Sequence, residues 1–373
     1  MKIAIISHTE HYRNNDGAIV GWGPTIKEIN KLLEITDSIV HIAPFYNNPP
    51  PVSALEYCND NIKYIPLKKS GGKGFQKLSI FKNLIHNLLQ ISKAIKDVDY
   101  IQFRAPTGIG IYVLPYLRFF NKKQYWVKYA GNWKDLNMPL GNKFQKKWLQ
   151  KCILMNTKVT VNGVWKNEKP NIISFENPCL DVNDRKKGKE IVSKKKIKNK
   201  INFCFVGVLN DHKGVGEIIE AFSKINSNKI GNIHFVGDGK EKERFLIAAK
   251  KIYHRIIFHG FIPKDSISDI YSKSHYIILP SKSEGFPKVI GEAMNYGCIP
   301  IVSNVSCIDQ YIVDEQNGYL LSKPNSDSIL MAIEKVLKIE PIKYEKWMEY
   351  NYELSNKFTY RYYNLRLKTE IFK

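Results

Sequence analysis

The chain has 373 residues and a mass of 43.1 kDa, enough for two domains with separate hydrophobic cores. Apolar residues make up 43% of it, which is ordinary for a globular protein and excludes an acidic disordered chain. Its 57 Lys and Arg against 35 Asp and Glu give a formal net charge of +22, so we expect an anionic partner: nucleic acid, a membrane surface or a phosphorylated substrate.

The first half of the chain alternates short β-like runs with helical patterns. Runs rich in β-branched and aromatic residues predict strands at 2–7, 39–43, 100–103, 125–129 and 158–162. Helical spacing of apolar residues predicts helices at 25–35 and 75–96. This alternation indicates a parallel sheet with crossover helices.

Two segments of this half, 75–98 and 143–155, combine amphipathic spacing with many lysines. Residues 1–170 carry 25 Lys and Arg against 11 Asp and Glu, so this half is also the more basic one. Most amphipathic helices pack on a core and expose a solvated outer face. The alternative is docking on an anionic membrane surface, where each nearby cation adds about 1 kcal/mol.

The alternation restarts after a lysine-rich run at 181–200, which we interpret as a solvated linker. Predicted strands lie at 201–206, 232–236, 256–259, 276–279 and 299–302, with helical patterns between them. We therefore predict an α/β protein with two doubly wound, Rossmann-like domains facing across a cleft. The predicted domains are 1–180 and 201–340, and a helical segment at 341–373 is expected to return to the first domain.

Cysteine usage and segment lengths indicate a cytoplasmic protein that is soluble or peripheral on a membrane. The six cysteines are scattered without a CxxC pair, which is typical of reduced thiols rather than of disulfides or a zinc site. The apolar run at the start is too short for a signal peptide, and no run approaches the roughly 18 residues of a spanning helix. Asp97-Val98-Asp99 has the spelling of a DxD metal loop, but its position favours a structural role, so no metal is expected.

Glycine-rich turns follow two strands of the second half. Gly207 begins a loop that ends in Lys213-Gly214 before a helical pattern, and Gly237-Asp238-Gly239 follows the next strand. Glycines let a backbone approach a ligand, and helix N-termini attract anions. Lys213 is placed to contact a phosphate, although such turns are more often structural.

The densest motif runs from Leu279 to Met294. Glu284 lies in the loop after a strand, and Glu292 follows eight positions later within the predicted helix. Gly285 and Phe286 can present backbone N–H groups at the start of that helix, whereas Pro287 has none. Carboxylates accept hydrogen bonds from hydroxyls, so the pair could hold a polyhydroxyl ligand. The structural alternative is that Glu284 caps the helix and Glu292 lies on its exposed face.

At this point the sequence resembles glycosyltransferase family 4, the retaining sugar-nucleotide transferases of GT-B architecture. The resemblance is strongest over 203–322. Its blocks occur in the family's order: Phe205-Val206-Gly207 with Lys213-Gly214, Val236-Gly237-Asp238-Gly239, Phe258-His259-Gly260-Phe261-Ile262, the Glu284 to Glu292 spacing, and Asn317-Gly318-Tyr319-Leu320.

The resemblance implies roles for the matched residues. Lys213 would pair with the donor diphosphate, Glu284 would hold hydroxyls of the transferred sugar, and Glu292 would hold the ribose hydroxyls. Other positions would line the donor site, several through backbone atoms: Gly207, Gly237, Phe261, Ile262, Gly285, Phe286 and Pro287.

In the first half, Gly17 and the Gly21-Trp22-Gly23 segment resemble the family's glycine-rich loop, which closes over the diphosphate and borders the acceptor. Arg104, Asn132 and Trp133 are further candidates for the sugar or acceptor site.

Two departures from the family's pattern stand beside this match. Val208 occupies the position where the family usually has a phosphate-binding Arg. Tyr129 or Ala130 stands where many members have a His.

The resemblance implies transfer of a hexosyl or N-acetylhexosaminyl unit from a nucleotide sugar, with retention, to a glycan or lipid-linked acceptor. Cell-surface polysaccharide assembly is the expected setting, and no cofactor or nucleic acid is expected. Two rivals share the architecture: a sugar-nucleotide epimerase and a non-catalytic binding homologue. A phosphorylase would need a cofactor-lysine motif that the sequence does not show.

Overall fold

The computed structural model describes residues 1–72, 79–135, 138–151, 157–252 and 255–373. It divides into two compact units, one of Met1–Phe175 with Asn364–Lys373 and one of Glu176–Tyr363. Each unit is built around its own parallel sheet, so the predicted α/β class with two Rossmann-like domains is confirmed.

The first unit contains a seven-stranded parallel sheet in the order β10-β9-β8-β7-β1-β4-β6. Its strands are β1 (Lys2–Ile6), β4 (Ser38–Pro44), β6 (Ile62–Leu67), β7 (Tyr100–Ala105), β8 (Gln124–Tyr129), β9 (Lys158–Val161) and β10 (Ile172–Ser174). The chain adds strands in one direction from β1 to β6 and in the other direction from β7 to β10. The carboxyl ends of β1 and β7 therefore form the switch point where such sheets bind ligands.

A second, antiparallel sheet of this unit was not predicted. It joins β2 (His11–Arg13), β3 (Ile19–Trp22) and β5 (Ala54–Glu56). Its strands are only three or four residues long, too short for the periodic patterns that identify strands in a sequence.

Helices cover the sheet of the first unit. They are α1 (Gly23–Leu32), α2 (Ser79–Lys82), α3 (Leu84–Ala94), α4 (Gly110–Phe120) and α5 (Leu140–Gln150). Residues of α3, α4 and α5 share one buried cluster with the strands, so these three helices cover the same sheet face. The ends of the two predicted amphipathic helices, at 75–78 and 152–155, lie outside the described residues.

The second unit contains a six-stranded parallel sheet in the order β13-β12-β11-β14-β15-β16. Its strands are β11 (Ile201–Val206), β12 (Ile230–Val236), β13 (Ile256–Phe258), β14 (Tyr276–Leu279), β15 (Ile299–Ser303) and β16 (Tyr319–Leu321). Its helices are α6 (Val182–Val192), α7 (Val215–Ser223), α8 (Lys242–Ala249), α9 (Lys264–Lys273), α10 (Lys288–Asn295), α11 (Ser326–Val336) and α12 (Pro341–Leu354), followed by α13 (Tyr360–Arg366).

The predicted solvated linker at 181–200 is instead largely helical. Asp181 and Asp184 form a capping box that starts α6. The cations of this run have partners inside the second unit: Arg185 donates to the carbonyl of Tyr352 at 2.8 Å, and the Nζ of Lys195 donates to two buried carbonyls at 2.8 Å. Composition alone could not reveal these partners, because they lie far away in the sequence.

The C-terminal segment also differs from the prediction, which assigned all of 341–373 to the first domain. Helix α12 belongs to the second unit, where Tyr344 donates to the carbonyl of Gly297 at 3.1 Å. The return begins at Asn364, whose side-chain amide donates to the carbonyl of Lys31 at 2.9 Å. Phe372 then packs edge-on against Trp126 in the first unit.

Within the described ranges, no helix combines the length and apolarity that crossing a bilayer requires. The five described cysteines are free thiols, and four of them are buried. The sixth, Cys152, lies outside the described residues.

Candidate functional site

Four loops meet beyond the carboxyl edge of the six-stranded sheet. They follow β11, β12, β13 and β14, which are neighbours in that sheet. Backbone hydrogen bonds join the loops: Gly237 donates to the carbonyl of Gly260 at 2.8 Å, and Lys282 donates to the carbonyl of His212 at 3.0 Å. The predicted glycine turns and the glutamate loop therefore lie on one edge of one sheet.

Two glycines are required where these loops approach each other. A Cβ atom on Gly237 would lie 1.9 Å from the carbonyl oxygen of Gly207, and the φ of Gly237 is +128°. A Cβ on Gly214 would lie 2.7 Å from the carbonyl oxygen of Pro280. Both positions exclude a side chain, so the glycines bring the loop backbones into contact.

Lys213 and Glu284 form an ion pair at this edge. Lys213 ends the short 3-10 helix Asp211–Lys213 after β11, and its Nζ donates to Oε1 of Glu284 in the loop after β14. The two side chains are 25% and 11% exposed, so both retain contact with solvent. The ion pair joins the two residues for which the resemblance implies contacts with the donor diphosphate and with the transferred sugar.

Glu292 lies in α10 with a different set of partners. The Nζ of Lys264 lies 3.7 Å from one carboxylate oxygen, and the hydroxyl of Tyr271 donates to the other at 3.4 Å. Burial, and then the charge of Glu292, raise the pKa of Tyr271 well above its ordinary value, so this tyrosine is a neutral donor. Glu292 itself is 12% exposed and is not a residue of the open helix surface.

Lys264 was missed by the sequence analysis. It begins α9, directly after the Phe261-Ile262-Pro263 segment that was identified, and its Nζ also lies 3.6 Å from Asp184. The sequence could have indicated Lys264 only through its position next to that segment. Its contact with Glu292 depends on tertiary structure, because the two residues are 28 positions apart.

The start of α10 is the place where the sequence predicts backbone N–H groups for a ligand. Pro287 occupies the N-cap position, and no side chain caps this helix end. The ring of Phe286 is buried and stacks on Phe358 at 4.6 Å, so only its backbone is available to a ligand. Cys307 contacts the carbonyl of Gly285.

The remaining donor-side positions differ in exposure. Phe261 is 42% exposed, whereas Ile262 packs against the core of the second unit. Val208 is 53% exposed and directs an uncharged side chain to solvent at the position where the family has Arg.

The Gly21-Trp22-Gly23 segment is not a loop, because it forms the end of β3 and the first residue of α1. Gly17 lies in the turn between β2 and β3, Gly21 lies within β3, and Gly23 is the first residue of α1. A Cβ on Gly21 would lie 2.7 Å from the His11 ring, and one on Gly23 would lie 2.2 Å from the carbonyl of Ser53. Gly17 has no atom within 4 Å of such a Cβ.

Arg104 is held in a buried ion cluster. Its Nη1 lies 2.9 Å from Oε1 of Glu28 in α1, and the Nζ of Lys128 lies 2.6 Å from the same oxygen. Arg104 and Lys128 are paired in register at the carboxyl ends of β7 and β8. Glu28 and Lys128 are each about 5% exposed, so this cluster joins α1 to the sheet.

Trp133 and Asn132 do not offer the surfaces expected of an acceptor site. Trp133 is fully buried, and its indole N–H donates to Glu168 at 2.8 Å. The side-chain oxygen of Asn132 accepts from the backbone N–H of Lys134 at 3.0 Å, as in a local turn. The prediction for Trp133 was wrong because its ring packs edge-on against Tyr129 inside the core.

A network of two histidines and a tyrosine was also missed. Nδ1 of His11 lies 2.8 Å from the carbonyl of Thr9, and the Tyr57 hydroxyl lies 2.7 Å from both His11 Nε2 and His41 Nδ1. Ser7 Oγ lies 2.8 Å from His41 Nε2. If both rings are neutral, Nδ1 of His11 carries the proton because it faces a carbonyl, and Nε2 of His11 accepts the proton of the Tyr57 hydroxyl. The Tyr57 oxygen then accepts from Nδ1 of His41, so Nδ1 carries the proton in that ring as well.

Burial keeps these two imidazoles neutral. It lowers the pKa of His11 to about 4 and that of His41 well below its ordinary value. Among the described residues, no group of three or more His, Cys, Asp or Glu side chains is arranged to hold a metal ion.

Comparison with known proteins finds a family model that matches part of the chain. Residues 186–354 match the family model described as glycosyl transferases group 1. An uncharacterized glycosyltransferase of Methanocaldococcus jannaschii is 30% identical over 135 residues, which cover 36% of this chain and 35% of that relative. Another from the same organism is 28% identical over 284 residues, which cover 69% of each chain.

A solved structure resembles the whole chain. HepE of Anabaena, in complex with UDP and glucose, superposes with a TM-score of 0.72 at 13% identity and covers 100% of both chains. At this identity the likeness establishes the fold. The chain therefore has the GT-B fold of two Rossmann-like domains, and its second unit matches the glycosyl transferases group 1 family.

Proposed function

We propose that this protein is a retaining glycosyltransferase that moves a sugar from a nucleotide-sugar donor to a glycan or lipid-linked acceptor. Cell-surface polysaccharide assembly is the proposed setting. The observation that carries the proposal is the Lys213–Glu284 ion pair, with Glu292, on the edge of the unit that matches the family. The solved structure of HepE with UDP supports a nucleoside diphosphate as the donor's leaving group.

The ion pair suits a site that exchanges partners when the donor binds. The ammonium group of Lys213 would leave Glu284 and pair with the diphosphate. Glu284 would then accept hydrogen bonds from hydroxyls of the sugar. The uncapped start of α10 would add backbone N–H groups to the phosphates. Glu292, held by Lys264 and Tyr271, would accept hydrogen bonds from the ribose hydroxyls.

The proposed reaction breaks the bond between the anomeric carbon and the diphosphate oxygen. The acceptor hydroxyl forms the new bond on the same face of the sugar, and its proton passes to the departing phosphate oxygen. Lys213 and the helix start would stabilise the charge that develops on that diphosphate. This scheme needs no protein nucleophile and no metal.

The test is incubation with radiolabelled nucleotide sugars and a membrane extract, followed by analysis of products and anomeric configuration. We expect labelled glycan or lipid with retained configuration, and a rise in donor KM with lower kcat for Glu292→Gln. Glu315→Gln, a surface carboxylate of the same unit, is the matched control. Release of a free epimer would favour the epimerase alternative, and wild-type kinetics for Glu292→Gln would exclude its ribose role.

A further inference from the structure

Helices α2 and α3 expose a row of large apolar side chains. Phe81, Ile85 and Leu89 are 63%, 71% and 56% exposed. They are spaced four residues apart, so Ile85 and Leu89 lie on one face of α3 and Phe81 precedes them by one turn. The opposite side of these helices is buried, with Ile80 and Ile91 in the core. This row is therefore a second apolar face, in addition to the one that packs on the sheet.

A second exposed group lies on α4 and α5. Phe119 and Phe120 end α4 and are 64% and 78% exposed, while Leu140 begins α5 and is 83% exposed. Phe119 and Phe144 both contact the ring of Trp148, with centroids 6.3 and 5.6 Å away. Phe119, Trp148 and Phe144 therefore form an aromatic row that runs from α4 to α5.

The two groups lie on the same side of the first unit. Helix α4 packs against both α3 and α5, and all three bury side chains in the same core cluster. Their exposed residues therefore point away from that core. Soluble monomeric proteins rarely expose apolar side chains in such groups unless the surface binds something.

The charge of this surface identifies the occupant. Residues 79–96, 110–124 and 138–151 contain ten Lys and Arg and no Asp or Glu. Seven of these ten cations are exposed, among them Lys82, Lys93, Lys122 and Lys143. Apolar side chains between cations match a bilayer interface, where the apolar groups enter the acyl boundary and the cations meet anionic headgroups.

We propose that the outward side of α2–α5 docks on an anionic lipid bilayer. A second copy of the chain is a poor occupant, because two such faces would place seven exposed cations against seven. This inference concerns a surface and does not depend on the proposed transfer reaction. Vesicle binding without transfer, or transfer without vesicle binding, would separate the two proposals.

The experiment is flotation of the full chain with two kinds of vesicle, phosphatidylcholine alone and phosphatidylcholine with 30 mol% phosphatidylglycerol. We expect binding to the anionic vesicles in about 0.1 M salt, and at least about tenfold weaker partition in about 0.5 M salt because of screening. Phe81→Ser/Ile85→Ser/Leu89→Ser should lower the partition coefficient at least about tenfold. Neutralising Lys82, Lys93, Lys122 and Lys143 to Gln should lower it at least about thirtyfold.

The second unit offers matched controls. Ile247→Ser/Met331→Ser/Ile342→Ser changes three apolar residues of 60–68% exposure, and Lys240, Lys250, Lys338 and Lys346 are exposed lysines for the Gln variant. Both controls should bind like the wild type, and circular dichroism should show all variants folded. Equal binding to neutral vesicles, or equal losses in variants and controls, would overturn the proposal. The proposal would also be overturned if the wild type forms a dimer and does not bind vesicles, and if only the Phe81/Ile85/Leu89 variant disrupts that dimer.

Discussion

The ion pairs at the carboxyl edges of the two parallel sheets differ in how far their charged groups are buried. In the first unit, Glu28 holds Arg104 and Lys128 in a cluster whose carboxylate is 5% exposed. In the second unit, the Lys213–Glu284 pair remains in contact with solvent, and Lys264 near Glu292 is 30% exposed. Both edges bring together residues that are far apart in the chain.

This difference distinguishes a structural role at the first edge from the proposed binding role at the second. A buried ion pair that loses one partner leaves an uncompensated charge, so its members hold the fold. A partly exposed pair can exchange one partner for a ligand at little cost in stability, because water already competes for both groups. The first edge should therefore respond to mutation mainly in stability, and the second mainly in ligand binding.

The largest effect on stability is expected for Glu28→Gln. This change leaves Arg104 and Lys128 buried without the carboxylate, and should lower the free energy of unfolding of the first unit by about 3–5 kcal/mol. Five of the six tryptophans lie in that unit, so tryptophan fluorescence in a denaturant titration measures it. Glu34→Gln, a half-exposed partner of Lys31 at the end of α1, is the control and should change little. Equal costs for the two variants would contradict the buried cluster.

Gly237→Ala tests the close approach of the loops in the second unit. Its Cβ would overlap the carbonyl of Gly207, and its positive φ disfavours any side chain, so we expect a cost of about 2–4 kcal/mol. Gly17→Ala is the matched control in the first unit, because its φ is +85° but the space around it is open. That control should cost about 1–2 kcal/mol from the backbone alone. Thermal denaturation measures both, and a smaller loss for Gly237→Ala would contradict the packing.

Acid should destabilise the first unit through the histidine network. The pKa of His11 is about 4 in the folded protein and about 6.5 in the unfolded chain, so below pH 6.5 the unfolded state binds more protons. The contribution of His11 to the free energy of unfolding should be fully present near pH 7.5. At pH 5 it should be lower by about 2 kcal/mol.

Tryptophan-monitored denaturation at the two pH values provides the measurement. His11→Gln should flatten the pH dependence between them while lowering stability at pH 7.5. His86, whose imidazole is only half-buried on α3, supplies the control substitution His86→Gln. An unchanged slope in His11→Gln would show that the network does not control it.

The smallest stability effect is expected for Lys213→Met. Because the pair is partly exposed, we expect a cost of about 1 kcal/mol. Nucleoside diphosphates should raise the Tm of the wild type and of the surface control Lys335→Met, but not of Lys213→Met. A ligand-induced shift that survives in Lys213→Met would remove this lysine from the proposed diphosphate site.

The second unit was predicted more completely than the first. The predicted strands at 201–206 and 276–279 agree with β11 and β14. These elements have regular periodicity and turn residues at their ends. The first unit differs from the prediction where strands pair with residues far away in the sequence. Gly21 was predicted to lie in a loop, because its strand is recognisable only from its hydrogen-bonded partners at 54–56.

The segment at 181–200 contains a sequence pattern that indicates a helix, although it was predicted as a solvated linker. Asp181 and Asp184 have the spacing of a capping box, which indicates a helix start, but the lysine content favoured a solvated coil. Arg185 and Lys195 find acceptors far away in the sequence, so the high charge did not prevent packing.

By itself, the amino-acid sequence determined the α/β class, the two-domain plan and the positions of Lys213, Glu284 and Glu292 beside turns. These follow from local periodicity and from turn chemistry, which a linear pattern contains. Only the tertiary structure decided that Lys213 pairs with Glu284, that Glu292 is held by Lys264, that Arg104 pairs with the buried Glu28, and that Trp133 is buried. Each of these depends on contacts between residues far apart in the chain, and burial decides whether a charged or aromatic side chain can meet a ligand.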